Sequence, residues 1–239
     1  MNVVGIVAAL ATEARVLGPT IDKRGALASL VDGSLLAVSG IGCAAATLAA
    51  QALVDAGATA LTSWGMAGGL DPAVRAGTIF IPTEVISERG IQFSTASYWR
   101  EELSAAVAAH RPLASGKLLT STHAIVAIAD KASAFRATGA LAVDMESFAI
   151  AEIAAAHRLP FIAVRVIIDT AADALPRAIV AASRTGHLQL RRLIAAMALA
   201  PADLVALIRL ARRYRAAGRS LRAVARSGLL SALAFPDVP

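Results

Sequence analysis

The chain has 239 residues, of which 57% are hydrophobic and 17% charged, with a formal net charge of +6. That length supports one sizeable core and is short for two full domains, and so apolar a composition excludes a disordered chain. No apolar run approaches the roughly 18 uninterrupted residues of a membrane-spanning helix, and the single cysteine, Cys43, excludes an internal disulfide.

The opening stretch MNVVGIVAALATEAR lacks the positive leader of a secretory signal. It reads as a buried strand from Val3 to Ala9 followed by a loop and a helix start. With Cys43 read as a packed thiol, the expected compartment is the cytoplasm. Two apolar runs, Ala26 to Val31 and Leu35 to Ser39, are joined by Asp32-Gly33-Ser34 and predict a hairpin. Gly40-Ile41-Gly42 opens an alanine-rich helix reaching Asp55, and its glycines allow close backbone approach to a ligand, although a lone G-x-G is weak as a motif.

Ala60 to Trp64 predicts another strand. The segment after it, Gly65 to Pro72, reads as a glycine-rich turn presenting backbone N–H groups around Met66, Ala67 and Gly68 to an anion or a sugar. A plain tight turn fits the same spacing. Thr78 to Pro82 predicts a strand, the stretch up to Ser97 reads as irregular, and Trp99 to Ala109 predicts a helix. A strand at Leu118 to Ser121, a helix at Ala129 to Arg136, and strands at 142–144 and 161–168 complete the alternation. The pattern predicts an α/β fold with three layers, its mixed central sheet covered on both faces.

The charge is unevenly spread. Residues 187–239 hold nine arginines and two acids, a net of +7, while residues 1–186 carry a net of −1. This divides the chain into an expected catalytic domain, 1–186, and an arginine-rich helical extension, 187–239, packed on or appended to it. Helices are predicted over Leu188 to Leu199 and from Pro201 to about Ala225, with proline as a first-turn residue. In the second, Arg212, Arg215, Arg219, Arg222 and Arg226 share one face, and Leu207, Leu210, Tyr214, Ala217, Leu221 and Val224 another. A solvated face is the commonest meaning of such a stripe, and an anionic membrane surface touching residues 201–226 is the next. Nucleic acid is not expected as a partner, because aromatic residues to stack on bases are almost absent there. No Cys/His cluster has metal-ligand spacing, so neither a metal nor an organic cofactor is expected; His123 and His187 read as structural.

The densest chemistry lies in AVDMESFAIAEIAAAHRLPFIAVRVIID, residues 142–169. It reads as a short strand, an acidic step, a helix, a second buried strand and an aspartate where that strand ends. Ligands of α/β folds bind outside the carboxyl ends of strands, so Glu146 and Asp169 can face a common crevice. Each also has an ordinary structural meaning, Glu146 at a helix start and Asp169 in a turn.

Four segments, GIVAALATEA, SGIG at 39–42, WGMAGGLDPAVRAGTIFIP at 64–82, and VDMESFAIAEIA with VRVIID, together resemble the nucleoside phosphorylase and nucleosidase superfamily. SWGMAGGLDP, DTAADALP and the arginine-rich end look most like its hopanoid-associated phosphorylase branch, linked to removal of adenine from adenosylhopane. The resemblance implies that Asp169 protonates the purine at N7, that Glu146 accepts hydrogen bonds from the ribose 2′ and 3′ hydroxyls with Met145 packed beneath the sugar, and that the chain around Ile125 and Val126 meets the base. It implies that Glu13 activates water, which favours hydrolysis. Phosphorylases of the superfamily instead hold phosphate with a serine and an arginine at the positions of Met66 and Ser63. Ser39, Thr62, Ser63 or Arg15 could rebuild such a site, which leaves phosphate open as a co-substrate. By the same resemblance the expected substrate is a purine nucleoside with a hopanoid 5′ substituent, the expected place the cytoplasm or the inner membrane surface, and the expected assembly a homodimer. A soluble methylthioadenosine-type nucleosidase and a non-catalytic nucleotide- or membrane-binding relative are the alternatives.

Overall fold

The computed structural model describes residues 3–18, 26–108, 112–174 and 201–226. Strand β1 (Val4–Ala8) is buried along its whole length, as its unbroken apolar run requires. A single helical turn, α1 (Ala11–Ala14), follows it. The hairpin of β2 (Leu27–Ser29) and β3 (Leu35–Val38) turns at Gly33, which adopts φ 85°, a conformation that favours glycine. Helix α2 (Cys43–Asp55) buries Ala46, Ala49, Ala50 and Leu53 on one side.

Strand β4 (Ala60–Gly69) is twice the predicted length. The supposed glycine turn is therefore strand as far as Gly69. Its backbone is satisfied by pairing with β11 (Phe161–Asp169), which runs parallel to it from Leu61 to Gly68, and this distant partner decides the conformation. A second correction concerns the stretch expected to be irregular. After β5 (Ile79–Phe80) come β6 (Glu84–Ser87) and β7 (Gln92–Ser94), an antiparallel pair turning through Gly90 at φ 80°. Helix α3 (Ser97–Ala108), β8 (Leu113–Ala114), β9 (Lys117–Thr120), α4 (Ile128–Thr138), β10 (Ala142–Asp144) and α5 (Ser147–Ala156) follow, and α6 (Pro201–Arg226) is the last described element. The helix expected over Leu188 to Leu199 lies outside the described residues. No described helix is long and apolar enough to cross a membrane.

Eleven strands among the described residues form one mixed sheet, in the order β2-β3-β1-β4-β10-β9-β6-β7, with β11, β5 and β8 continuing from the other edge of β4. Both faces are covered. Along β11, Ile162, Val164 and Val166 enter one core with Trp64, Trp99 and Leu103, while Phe161, Ala163 and Ile167 enter the other with Ala50, Leu53 and Ile150. This is the two-residue period of a strand buried on both sides. Helix α6 joins the first of these cores. Its Ala217, Leu221 and Val224 are buried there, and Arg212, Arg215, Arg219, Arg222 and Arg226 are exposed on the opposite face. Full burial of a Leu or Val side chain is worth about 1.5–3 kcal/mol, so the cationic helix is fastened to the fold by its apolar side.

One topological feature positions the site. Strand β4 has two partners in succession along one edge, β1 in parallel beside Ala60–Trp64 and β10 in antiparallel beside Gly68 and Gly69. The carboxyl ends of β1 and β10 thus point at each other across residues 65–67 of β4. Strand β11 ends against the same segment from the other edge. Its register slips between Ile167 and Asp169, a bulge that turns the strand end and re-aims Asp169.

Candidate active site

The gap between these strand ends is a cavity of about 200 Å³. It brings together Glu13, Met66, Ala67, Gly68, Ile125, Met145, Glu146 and Asp169, all of them candidates from the sequence. Two further candidates are not among its lining residues. The Ser39 hydroxyl is turned into the backbone, donating to the Gly40 carbonyl at 2.7 Å and, more weakly, to that of Ala8. Val126, half-buried in the loop before α4, falls outside the lining. His123, read from the sequence as structural, is exposed and stands in the cavity wall.

Glu13 follows β1 on α1 and is 4% exposed. Its two carboxylate oxygens accept the Leu10 N–H at 3.0 Å and the Met66 N–H at 2.9 Å, while the Trp64 indole donates to its main-chain carbonyl. A Cβ at Gly65 would stand 2.7 Å from one of those oxygens, so only glycine lets the carboxylate reach β4. Burial pushes the Glu13 carboxyl up, against the pull of the nearby Arg165 guanidinium.

Glu146 begins α5. It accepts the Gly42 N–H at 2.8 Å and the Met145 N–H at 3.3 Å. Gly42 holds φ 100° at the start of α2, and with nothing near its missing Cβ this backbone conformation is the reason for glycine there. The N–H of Gly42 thus serves the protein's own carboxylate. Burial and the neighbouring Asp144 charge push Glu146 up to about 7.

Asp169 is 2% exposed and paired with the wholly buried ammonium of Lys131 on α4, which also donates to the Thr170 carbonyl at 2.9 Å. Burial raises the Asp169 carboxyl and Lys131 opposes the rise. A Cβ at Gly68 would stand 3.2 Å from the Asp169 carboxylate, so here too glycine makes room for an acid.

Beneath the cavity, Arg165 of β11 donates through Nε and Nη2 to the same Asp144 oxygen, at 2.9 and 2.7 Å, and through Nη2 to the hydroxyls of Ser63 and Ser147. Thr120 donates to the other Asp144 oxygen at 2.7 Å. This buried network ties the start of α5 and the ends of β9 and β10 to the middles of β4 and β11, one platform under Glu13 and Glu146. Helix α6 closes the remaining side. Tyr214 lines the cavity and shares a hydrogen bond with the Thr12 hydroxyl, and the adjacent Arg213 pairs with Asp173. Burial works against the Asp173 charge, yet Arg213 and the Thr170 hydroxyl and N–H hold its carboxyl down at about 2.

The sequence reading missed Lys131, Arg165 and Tyr214. Signals for two of them were present. Arg165 is the only charge within the apolar run of β11 before Asp169, and Lys131 falls three and four residues before Ala134 and Phe135, on the side of α4 that packs inward.

A family model for the phosphorylase superfamily matches residues 24–199, well over half of the chain. The chain belongs to the phosphorylase superfamily. No curated protein sequence matches this superfamily member. Among solved structures, a 5′-methylthioadenosine/S-adenosylhomocysteine nucleosidase from Neisseria meningitidis, in complex with methylthio-immucillin-A, aligns with a TM-score of 0.70 at 17% identity, over 98% of this chain and 100% of its own. A nucleosidase of the same description from Helicobacter pylori aligns with a TM-score of 0.68 at 14% identity, covering 97% and 99%. Futalosine hydrolase of Helicobacter pylori gives 0.65 at 14% identity, covering 93% and 97%. At these identities the likeness is one of fold: a mixed α/β architecture shared with nucleoside-cleaving members of the superfamily.

Proposed function

We infer that the chain is a purine nucleosidase that cleaves the N-glycosidic bond of an adenosine-type nucleoside by hydrolysis. The observation that carries this reading is Glu13, whose carboxylate takes the Met66 N–H and lies beside Arg165. By the resemblance a phosphorylase holds phosphate at the positions of Met66 and Ser63; here the protein's own carboxylate takes the Met66 N–H, and the Ser63 hydroxyl is engaged by Arg165 and Ser147. A buried carboxylate at this place repels phosphate and can take a proton from water.

On this reading the sugar lies over Met145 and Met66, with its 2′ and 3′ hydroxyls donating to Glu146. The base lies towards Ile125 and Asp169. As the bond to the base stretches, C1′ gains positive charge beside Glu13 and Glu146, Asp169 gives its proton to N7, and water activated by Glu13 adds to C1′. Ionised Glu146 accepts a hydroxyl donor at each of its two oxygens, and protonation turns one of those oxygens into a donor. Because its carboxyl is raised to about 7, KM is expected to rise as pH falls through that value, a trend read from initial rates between about pH 5.5 and 8.5.

The 5′ substituent is read from the sequence resemblance as hopanoid. A cavity of about 200 Å³ is small for a nucleoside carrying a fused-ring terpenoid. The hopanoid body would therefore lie outside it, where the exposed arginine face of α6 could meet an anionic membrane. A second reading, a small 5′-thio nucleoside such as methylthioadenosine, draws on the nucleosidases that share the fold.

The experiment is adenine release by the purified protein from adenosylhopane and from methylthioadenosine, without and with phosphate, identifying the sugar product by mass. Release without phosphate, giving a free sugar and faster from adenosylhopane, is the expected result. A preference for methylthioadenosine selects the second reading. Release that requires phosphate overturns hydrolysis, and no release from either substrate overturns the assignment as an adenine nucleosidase.

A further inference from the structure

Lys131 is 0% exposed and is absent from the cavity wall. Its ammonium stands behind Asp169, where the contacts shown for it are the carboxylate and the Thr170 carbonyl. Burying an ammonium is costly unless it is paired and hydrogen-bonded. The other charges facing Asp169 are Asp173 and Arg213, which pair with each other. Among the described residues this leaves Lys131 as the cation that answers the Asp169 charge.

The function inferred above requires Asp169 to give up a proton inside a buried site. The carboxylate that remains then needs a counter-charge that is already in place. We propose that Lys131 is the positioning residue that supplies it: its ammonium fixes one oxygen of Asp169 and stabilises the charge left there as the base takes the proton. In the complete step the C1′–N9 bond breaks with its electron pair going to the base, and the Asp169 proton moves to N7. Water oxygen bonds to C1′, one water proton passes to Glu13, and the other remains in the new sugar hydroxyl. Asp169 ends as a carboxylate against the Lys131 ammonium, the ion pair that the structure holds. Solvent reprotonates it through the cavity when the products leave.

This inference rests on Asp169 being the acid, and the experiment separates the two. The pH dependence of kcat and KM for adenine release is measured for the wild type, K131M, K131Q and K131R, with D169N as the control. Glutamine at 131 keeps a donor for the Thr170 carbonyl and guards against a folding defect in the methionine variant. Removing the positive charge makes Asp169 a weaker acid that keeps its proton to higher pH. In K131M and K131Q kcat is therefore expected to fall by on the order of tenfold or more, with KM near the wild-type value because Lys131 does not line the cavity. The alkaline limb of kcat is expected to move up by about one pH unit or more, and K131R to keep it at its wild-type position. A lysine that merely fastened α4 would lower the rate without moving that limb, so an unmoved limb in both neutral variants overturns the proposal. A wild-type rate in D169N would instead remove the acid assignment, a result read without altering Lys131.

Discussion

Replacing Asp169 by asparagine is expected to slow adenine release by about three orders of magnitude, within the range that a positioned general acid contributes. The amide is close in shape to the carboxyl, accepts the Lys131 hydrogen bond through its oxygen, and cannot give a proton to N7. Adenine would then have to leave as an anion. The same change leaves the Lys131 ammonium buried without its counter-charge, and loss of one partner of a buried ion pair costs about 3–5 kcal/mol. The variant should therefore be inactive, folded by circular dichroism, and less resistant to denaturant. Full activity would assign the acid to another group.

The second large effect is expected at Glu13. Glutamine there can accept the Met66 N–H through its amide oxygen, but it meets the Leu10 N–H with a donor of its own and takes no proton from water. Turnover is expected to fall by about 10²–10⁴-fold. KM should change little if Glu13 acts on water rather than on the sugar. The Arg165–Asp144 pair does not include Glu13, so the platform beneath the cavity should persist, and the loss of thermal stability should be limited to the unmatched Leu10 N–H. Loss of substrate affinity with kcat unchanged would recast Glu13 as a sugar-binding group.

Much of the site was legible because strand ends are legible. The acids Glu13, Glu146 and Asp169 each lie at or just beyond the carboxyl end of a largely apolar strand, and α/β sheets gather ligands at such ends. What escaped depends on partners that a linear reading does not join. Lys131 reads as one more helical surface residue, because its partner Asp169 lies 38 positions away. Tyr214 was assigned to the apolar face of α6, and its neighbours Ala217 and Leu221 are indeed buried, but its hydroxyl meets Thr12, 202 positions earlier. The glycines at 65, 68 and 69 suggested a turn because glycine is commonest where the chain reverses. In this fold they admit the side chains of Glu13 and Asp169 and the backbone of Asp169 to a straight strand. The β6–β7 pair was missed because each strand is only three or four residues long, too short for a period to register.

The order in which the chain is made bears on when it can work. Arg213 and Tyr214 are consecutive on α6 and reach two different segments beside the cavity. Arg213 grips Asp173, which accepts from Thr170 next to the acid, and Tyr214 grips Thr12 next to Glu13. A nascent polypeptide that has emerged from the ribosome only as far as residue 200 already owns every carboxylate of the site and has neither tether. The earlier strands and helices can assemble as they appear, amino-terminal part first. The two tethers do not accumulate with them; both form in one step, when α6 docks.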